Sequence, residues 1–223
     1  MPRVSGAIGV TIEEARRWLH SRGLSAMLLA HCEEVGAKSK SIAQGVVDIN
    51  SEEAELGGLL HDCAKEIKGE RQHELAQEFG IKIDPVDVDV PEDLHARLGA
   101  FLVRKELGIT NPHVLSAIWS HTFGPAGLPE LFDKGTIIDV QSGGVYKAVL
   151  VGDDTVTTRG SDEIAKIERS LAKKGIDGAV LKALKLKFQK AIDKPKKIHP
   201  YLNDSRNYFL SLFPEKMKPK NNK

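Results

Sequence analysis

The chain is short of cysteine, of net charge and of long apolar runs, and each shortage narrows what it can be. Its 223 residues include two cysteines, Cys32 and Cys63, far apart and with no CxxC spacing. That excludes a disulfide framework and suits two reduced, small core residues of a cytoplasmic protein. No stretch approaches the ~20 consecutive apolar residues of a membrane span. The apolar part of Met1 to Val10 is too short for a signal peptide. Neither membrane partner nor export is therefore expected. Aromatic residues are 5% of the chain, and Tyr201 and Tyr208 stand isolated in its Lys-rich end. The basic-aromatic interleaving of a single-strand nucleic-acid platform is missing, so no nucleic acid is expected.

The net charge of +1 hides an asymmetry. Residues 1–150 hold 15 Lys/Arg against 22 Asp/Glu, a net of −7; residues 151–223 hold 17 against 9, a net of +8. An acidic, metal-binding part beside a basic part would suit a polyphosphate substrate; basic helices solvated along Lys166 to Lys197 explain the same numbers. Composition is otherwise globular, 41% hydrophobic and 28% charged. Length suits one domain over residues 1–213, followed by a Lys-rich, disordered tail over 214–223.

Helical signals dominate. Thr11 with Glu14 makes a capping box ahead of an apolar stripe at Ile12, Ala15, Trp18 and Leu19. A second helix runs from Ser25 past His31 to Ile42. The central stretch, Glu55 to Ile67, reads E-L-G-G-L-L-H-D-C-A-K-E-I. Its helix is expected to start at Ser51 as N-cap and to run to about Gly69. Glu70 to Phe79 is a short helix, and Ile81 to Val90, interrupted by Pro85, an extended loop. Pro91 opens the helix that carries His95. Asn111-Pro112 opens the one that ends at His121. Over 133–158 the β-branched runs and Ser142-Gly-Gly favour a strand hairpin by propensity. Helices follow over Ser161–Lys174, Gly178–Asp193 and Asn203–Phe213. The fold class is all-α, a helical bundle with an irregular insertion around 125–150.

His61 and Asp62 sit in the apolar central run, where a carboxylate without a partner costs several kcal/mol or shifts its pKa. Taken alone, the dipeptide reads more simply as a core His hydrogen-bonded to Asp. Its neighbours change that. His31, His61-Asp62, His95 and His121 follow at spacings of 30, 34 and 26, each on or at the end of a different helix. Bundle cores build metal sites from facing helices in this way. Four His and an Asp are too rich for one tetrahedral zinc and suit two divalent ions such as Fe, Mn or Co. A further carboxylate should come from Asp139, Asp153 or Asp154. His20, His73, His113 and His199 fall outside the pattern, and His113, two residues into its helix, is expected to be exposed.

These segments resemble the HD superfamily of metal-dependent phosphohydrolases, and within it the bacterial symmetrical diadenosine-tetraphosphate hydrolases (the YqeK group). The resemblance is carried by Leu24-Ser25 before His31, Gly57 to Lys65, Leu94-His95 with Gly99 to Leu102, Ala117-Ile118 with His121-Thr122 and Gly124, and Ile198-His-Pro with Ser205 to Leu210. It spans residues 24–213. Lys147, Asp153, Arg159 and Ser161 to Ile164 keep the group's next spacing, which favours Asp153 and implies a helix over 145–151 against the local strand propensity. The price is an interval from His121 about 14 residues longer than in the group; Asp139 would keep the shorter interval. Val156-Thr157 departs from the group's Glu-Pro, and Leu28-Leu29 lacks its Arg.

The resemblance implies that His31, His61, Asp62, His95, His121 and Asp153 hold two ions that activate water against a polyphosphate. It implies diadenosine tetraphosphate as substrate and two ADP as products. Lys65, one helical turn beyond His61, would meet a phosphate, with Arg159 and Arg206 as weaker candidates. Rival readings are hydrolysis of another nucleotide, such as a nucleoside monophosphate or a guanosine polyphosphate, and a non-catalytic nucleotide-binding module. A homodimer is left open, the insertion offering a cap or a subunit contact.

Overall fold

In the computed structural model, residues 9–193 and 198–213 are described, and among them there is no strand. The tail expected to be disordered, 214–223, lies outside the described residues. The helices are α1 (Ile12–Ser21), α2 (Ala26–Gln44), α3 (Ser51–Leu60), α4 (Gly69–Glu78), α5 (Pro85–Asp89), α6 (His95–Leu107), α7 (Pro112–Ser120), α8 (Lys134–Gly143), α9 (Val145–Asp153), α10 (Ser161–Asp193) and α11 (Pro200–Ser211). Short 3-10 turns at Pro91–Leu94 and Pro125–Glu130 lead into α6 and precede α8. No described helix is long and apolar enough to cross a membrane.

The core is a layer of helices packed around α3 and α9. Close approach of α2 and α3 is a matter of side-chain size. A Cβ on Gly58 would stand 2.9 Å from the Gly36 Cα and from the Val35 carbonyl oxygen. On the other side of α3, a Cβ on Gly57 would stand 2.9 Å from the Ala117 Cβ of α7. Two adjacent glycines thus let one helix touch neighbours on both flanks, as interior packing density demands.

Helix α9 has the conformation that the resemblance implies, against the strand propensity of its sequence. Val145, Tyr146, Ala148, Val149, Leu150 and Val151 are all buried. They pack against Ala54 of α3, Ala117 of α7 and Ala179, Val180 and Leu184 of α10. A segment apolar all round is buried all round, and tertiary packing outweighs the small β preference of valine. The Gly-Gly is a turn, but between helices: Gly144 caps α8 in the left-handed conformation at φ 73°. The stretch expected to be irregular is mostly helical, as the second 3-10 turn and α8.

Other expectations are corrected in detail. Asn50, not Ser51, caps α3, its side-chain oxygen accepting from the Glu52 and Glu53 amides at 3.0 and 3.2 Å. The helix stops at Leu60 instead of reaching Gly69. Residues 85–89 of the expected loop form α5, its entry tied by the Asp84 amide donating to the Asp87 carboxylate at 2.8 Å. Helix α11 starts three residues earlier than expected, with His199 as N-cap. His113 is not exposed; its Nε2 lies 3.1 Å from Asp139. The kink at Gly175 divides α10 near the expected boundary.

Candidate metal centre

The central pair follows directly on the helix stop at Leu60. Beyond it the backbone closes in tight turns, the Cys63 and Lys65 amides bonding to the Leu60 and Asp62 carbonyls. His61, the C-cap of α3 and still at helical angles (φ −55°, ψ −39°), and Asp62 are both fully buried. His95 begins α6, His121 follows the last residue of α7, and Asp153 ends α9. His31 comes from the second turn of α2. The structure brings all six together and leaves Asp139 outside: that carboxylate is more than half exposed, on His113.

Hydrogen bonds fix which nitrogen of each imidazole faces inward. The Nδ1 of His61, His95 and His121 lies 2.7, 2.6 and 2.7 Å from the carbonyls of Gly58, Glu92 and Ile118. A carbonyl only accepts, so each Nδ1 carries the proton and each Nε2 presents a lone pair. These lone pairs converge on acceptors. His95 and His121 Nε2 lie 3.1 and 3.3 Å from Asp62 Oδ1. His61 and His31 Nε2 lie 3.2 and 3.5 Å from Asp62 Oδ2. His31 and His61 Nε2 lie 3.4 and 3.8 Å from Asp153 Oδ1. The two carboxylate oxygens of Asp62 thus divide the four imidazoles into pairs.

Acceptors facing acceptors need a cation. His31 Nε2, His61 Nε2 and Asp62 Oδ1 are buried with no hydrogen-bond partner. His95 and His121 Nε2 face each other at 3.0 Å, with only the Thr122 hydroxyl, 3.1 Å from His121 Nε2, to donate between them. Ligand atoms of His31, His61 and Asp153, and of His61, Asp62 and His121, each lie within 4.8 Å of one another. This donor set, two imidazole pairs joined by a carboxylate, fits divalent ions of intermediate softness.

The electrostatics differ across the cluster. Burial holds the His121 imidazole down to about 3, outweighing Asp62, so a proton does not fill that side. His31 differs: hydrogen bonding to Asp153 and Asp62 raises it to about 9, so near neutral pH a proton can take the place of a metal cation on that side. Burial pushes the Asp62 carboxyl up, but the surrounding His61, His121 and His31 hold it well below the usual range. Positive side chains complete the balance. Lys65 Nζ is 2.5 Å from Asp62 Oδ2, from a turn and not from the helix face that its spacing suggested. Arg159 Nη2 lies 2.7 and 2.8 Å from both Asp153 oxygens. Arg206 is not brought here; its guanidinium lies 3.8 Å over the Phe188 ring.

A cavity of about 290 Å³ opens over His95, His121 and Asp153 and is rimmed by Lys65, Arg159, Lys187 and Lys190. Lys187 and Lys190 were hidden among basic residues that read equally well as solvated helix. Lys187 is held in place, donating to the His121 carbonyl at 2.8 Å and lying 3.1 Å from Asp154. The opposite wall is apolar: His199 stacks on Phe123 with centroids 4.4 Å apart and planes at 12°. His199 Nδ1 accepts from the Tyr201 amide at 3.2 Å, so its Nε2 proton points to Asp87, 3.4 Å away. Spacing left His199 outside the pattern; its place after Ile198 in the closing motif was the available signal.

The HD domain family matches residues 17–149, a span that holds His31 to His121 and stops short of Asp153. The chain is 27% identical over 172 residues to a symmetrical bis(5'-nucleosyl)-tetraphosphatase of Bacillus subtilis, covering 76% of each protein. It is 30% identical over 103 residues to a Mycoplasma pneumoniae protein named as a probable nicotinate-nucleotide adenylyltransferase/Ap4A hydrolase. That match takes in 46% of this chain but 28% of the Mycoplasma protein. In structure the chain is similar to a Clostridium acetobutylicum protein described as a predicted HD superfamily hydrolase involved in NAD metabolism. The TM-score is 0.76 at 24% identity, covering 91% of this chain and 98% of that one.

Proposed function

The chain belongs to the HD domain family, and from that premise we propose that it hydrolyses a dinucleoside polyphosphate, diadenosine tetraphosphate to two ADP, at a centre of two divalent ions. The observation that carries the reading is the division of the imidazoles by Asp62. His31, His61, Asp62, His95, His121 and Asp153 would together hold the ions. Iron, manganese or cobalt suits this set better than zinc. Bound there, such ions supply Lewis acidity toward a phosphoryl oxygen and lower the pKa of water enough for attack near neutral pH.

The chain's own residues supply orientation and charge. Backbone carbonyls of Gly58, Glu92 and Ile118 lock three imidazoles with Nε2 inward, so no ring must turn before it binds. Lys65, Arg159, Lys187 and Lys190 would neutralise the phosphate chain, and the Phe123–His199 stack would take a nucleobase. One water adds at phosphorus and the central anhydride breaks, leaving two nucleoside diphosphates. The named activities of the Bacillus and Mycoplasma relatives support this substrate.

The test is anion-exchange chromatography of diadenosine tetraphosphate incubated with the Mn²⁺-loaded protein, with His61→Ala alongside. ADP as sole product, lost in the variant, is expected. ATP with AMP would contradict symmetrical cleavage. No turnover by protein that binds the metal would direct the reading to another nucleotide.

A further inference from the structure

The cavity over His95 and His121 has a neighbour. A second hollow of about 400 Å³ is walled by Met27, Leu28, His31, Glu66 and Thr158. Lys65 and Arg159 line both hollows. These are the two cations fixed on Asp62 and Asp153, so the hollows flank one cationic ridge that lies on the metal cluster. His31 faces one hollow; His95 and His121 face the other. Both volumes are near the low end of the roughly 300–1,000 Å³ typical of small-ligand sites, and each hollow has an apolar wall.

In the second hollow that wall is Met27, 80% exposed on the first turn of α2 and backed by the buried Leu28. A thioether is polarisable and adapts to an aromatic face. Polar groups stand beside it. Glu66 accepts from the Ser25 amide at 2.8 Å and from the Ser25 hydroxyl at 2.5 Å. That carboxylate keeps lone pairs for sugar hydroxyls. Thr158 Oγ1 lies 3.4 Å from His31 Nδ1 at the inner end. An apolar wall beside the shared phosphate ridge repeats what the first hollow offers with Phe123 and His199, and Glu66 adds a sugar-competent carboxylate.

We infer that the Met27 hollow is the compartment for the second nucleoside of the substrate, whose phosphate chain crosses Lys65 and Arg159 while its first nucleoside rests on Phe123 and His199. The inference rests on the hydrolase reading above and extends it to recognition. A nucleotide with one base fills one hollow; a dinucleotide fills both, and cleavage over the ridge leaves one nucleoside diphosphate in each. Discrimination between the two substrate kinds then lies in Met27 and its neighbours, outside the metal cluster.

Equilibrium dialysis of ADP against the full-length, Mn²⁺-loaded protein tests this without turnover. Two ADP per chain are expected for the wild type. Met27→Asp should bind one, and Met27→Leu should again bind two. Because Met27 is exposed, an unchanged thermal melt should accompany both variants. A single ADP on the wild type, or two on Met27→Asp, overturns the assignment. Two ADP bound without cleavage of diadenosine tetraphosphate would sink the hydrolase reading and leave the compartment standing; cleavage with a single ADP bound would do the reverse.

Discussion

Asp87 illustrates at the residue scale how charge can be buried outside the candidate metal centre. Arg97 Nη2 reaches it at 2.5 Å and His199 Nε2 at 3.4 Å, and the guanidinium also donates to the Lys82 carbonyl at 2.9 Å. All three side chains are buried. Burial alone would raise the Asp87 carboxyl, but His199 and Arg97 hold it below its usual value. The unfolded chain therefore takes up that proton first, at about pH 4. Its stabilisation is present above that pH and lost as the pH falls through the lower, folded value. Asp87→Asn strands a buried guanidinium, at a cost of roughly 3–5 kcal/mol. Chemical denaturation at pH 7 should show that loss, and the variant's stability should fall less steeply than the wild type's between about pH 5 and 3. A similar loss at both ends of that range would contradict the ion pair. Single residues were also where the sequence was most legible. His and Asp in an apolar run announce a paired or metal-bound group, whereas the Arg97–Asp87–His199 network has no such spacing and appears only once α5, α6 and α11 meet.

Elements were legible where their own ends declare them and illegible where neighbours decide. Thr11 with Glu14, Ser25 and Asn111-Pro112 fixed three helix starts locally. Helix α9 was misread by local propensity and read as a helix only through the family resemblance, because its conformation comes from α2, α3, α7 and α10 closing around it. The early stop of α3 was likewise hidden, since Cys63, Ala64 and Lys65 continue a plausible helical pattern. The contact of α2 with α3 gives the test at this scale. Gly58→Ala puts a methyl 2.9 Å from the Gly36 Cα, the Val35 carbonyl oxygen and the Ser39 Oγ. Overpacking of this kind costs about 1–3 kcal/mol, a fall of several degrees in Tm at about 2–4 °C per kcal/mol. Because α3 delivers His61 and Asp62, bound metal should fall with it. An unchanged melt would show that the helices do not meet as described.

Across the whole molecule, the charge asymmetry of the sequence becomes an arrangement in space. The acidic part supplies His31 to His121 and Asp153 follows it closely, while Arg159, Lys187 and Lys190 arrive from the basic part to rim the same cavity. Partly exposed cations are screened over about 10 Å at 0.1 M salt. Raising NaCl from about 0.05 to 0.3 M should thus raise KM for diadenosine tetraphosphate severalfold and leave kcat little changed. A salt-independent KM would exclude the rim from phosphate binding. The fold class and the first five candidate ligands were visible from helical periodicity and spacing. The sixth was less plain: the flanking Lys147 and Arg159 favoured Asp153 while Asp139 kept the shorter interval from His121, and the structure sets Asp153 beside His31 and Asp139 on His113. The central claim is therefore tested most directly by metal content, measured by inductively coupled plasma mass spectrometry after loading and gel filtration. Two ions per chain are predicted for the wild type and for Asp139→Ala, with a clear loss in Asp153→Ala. No retained metal in the wild type, or equal loss in the two variants, would contradict the account.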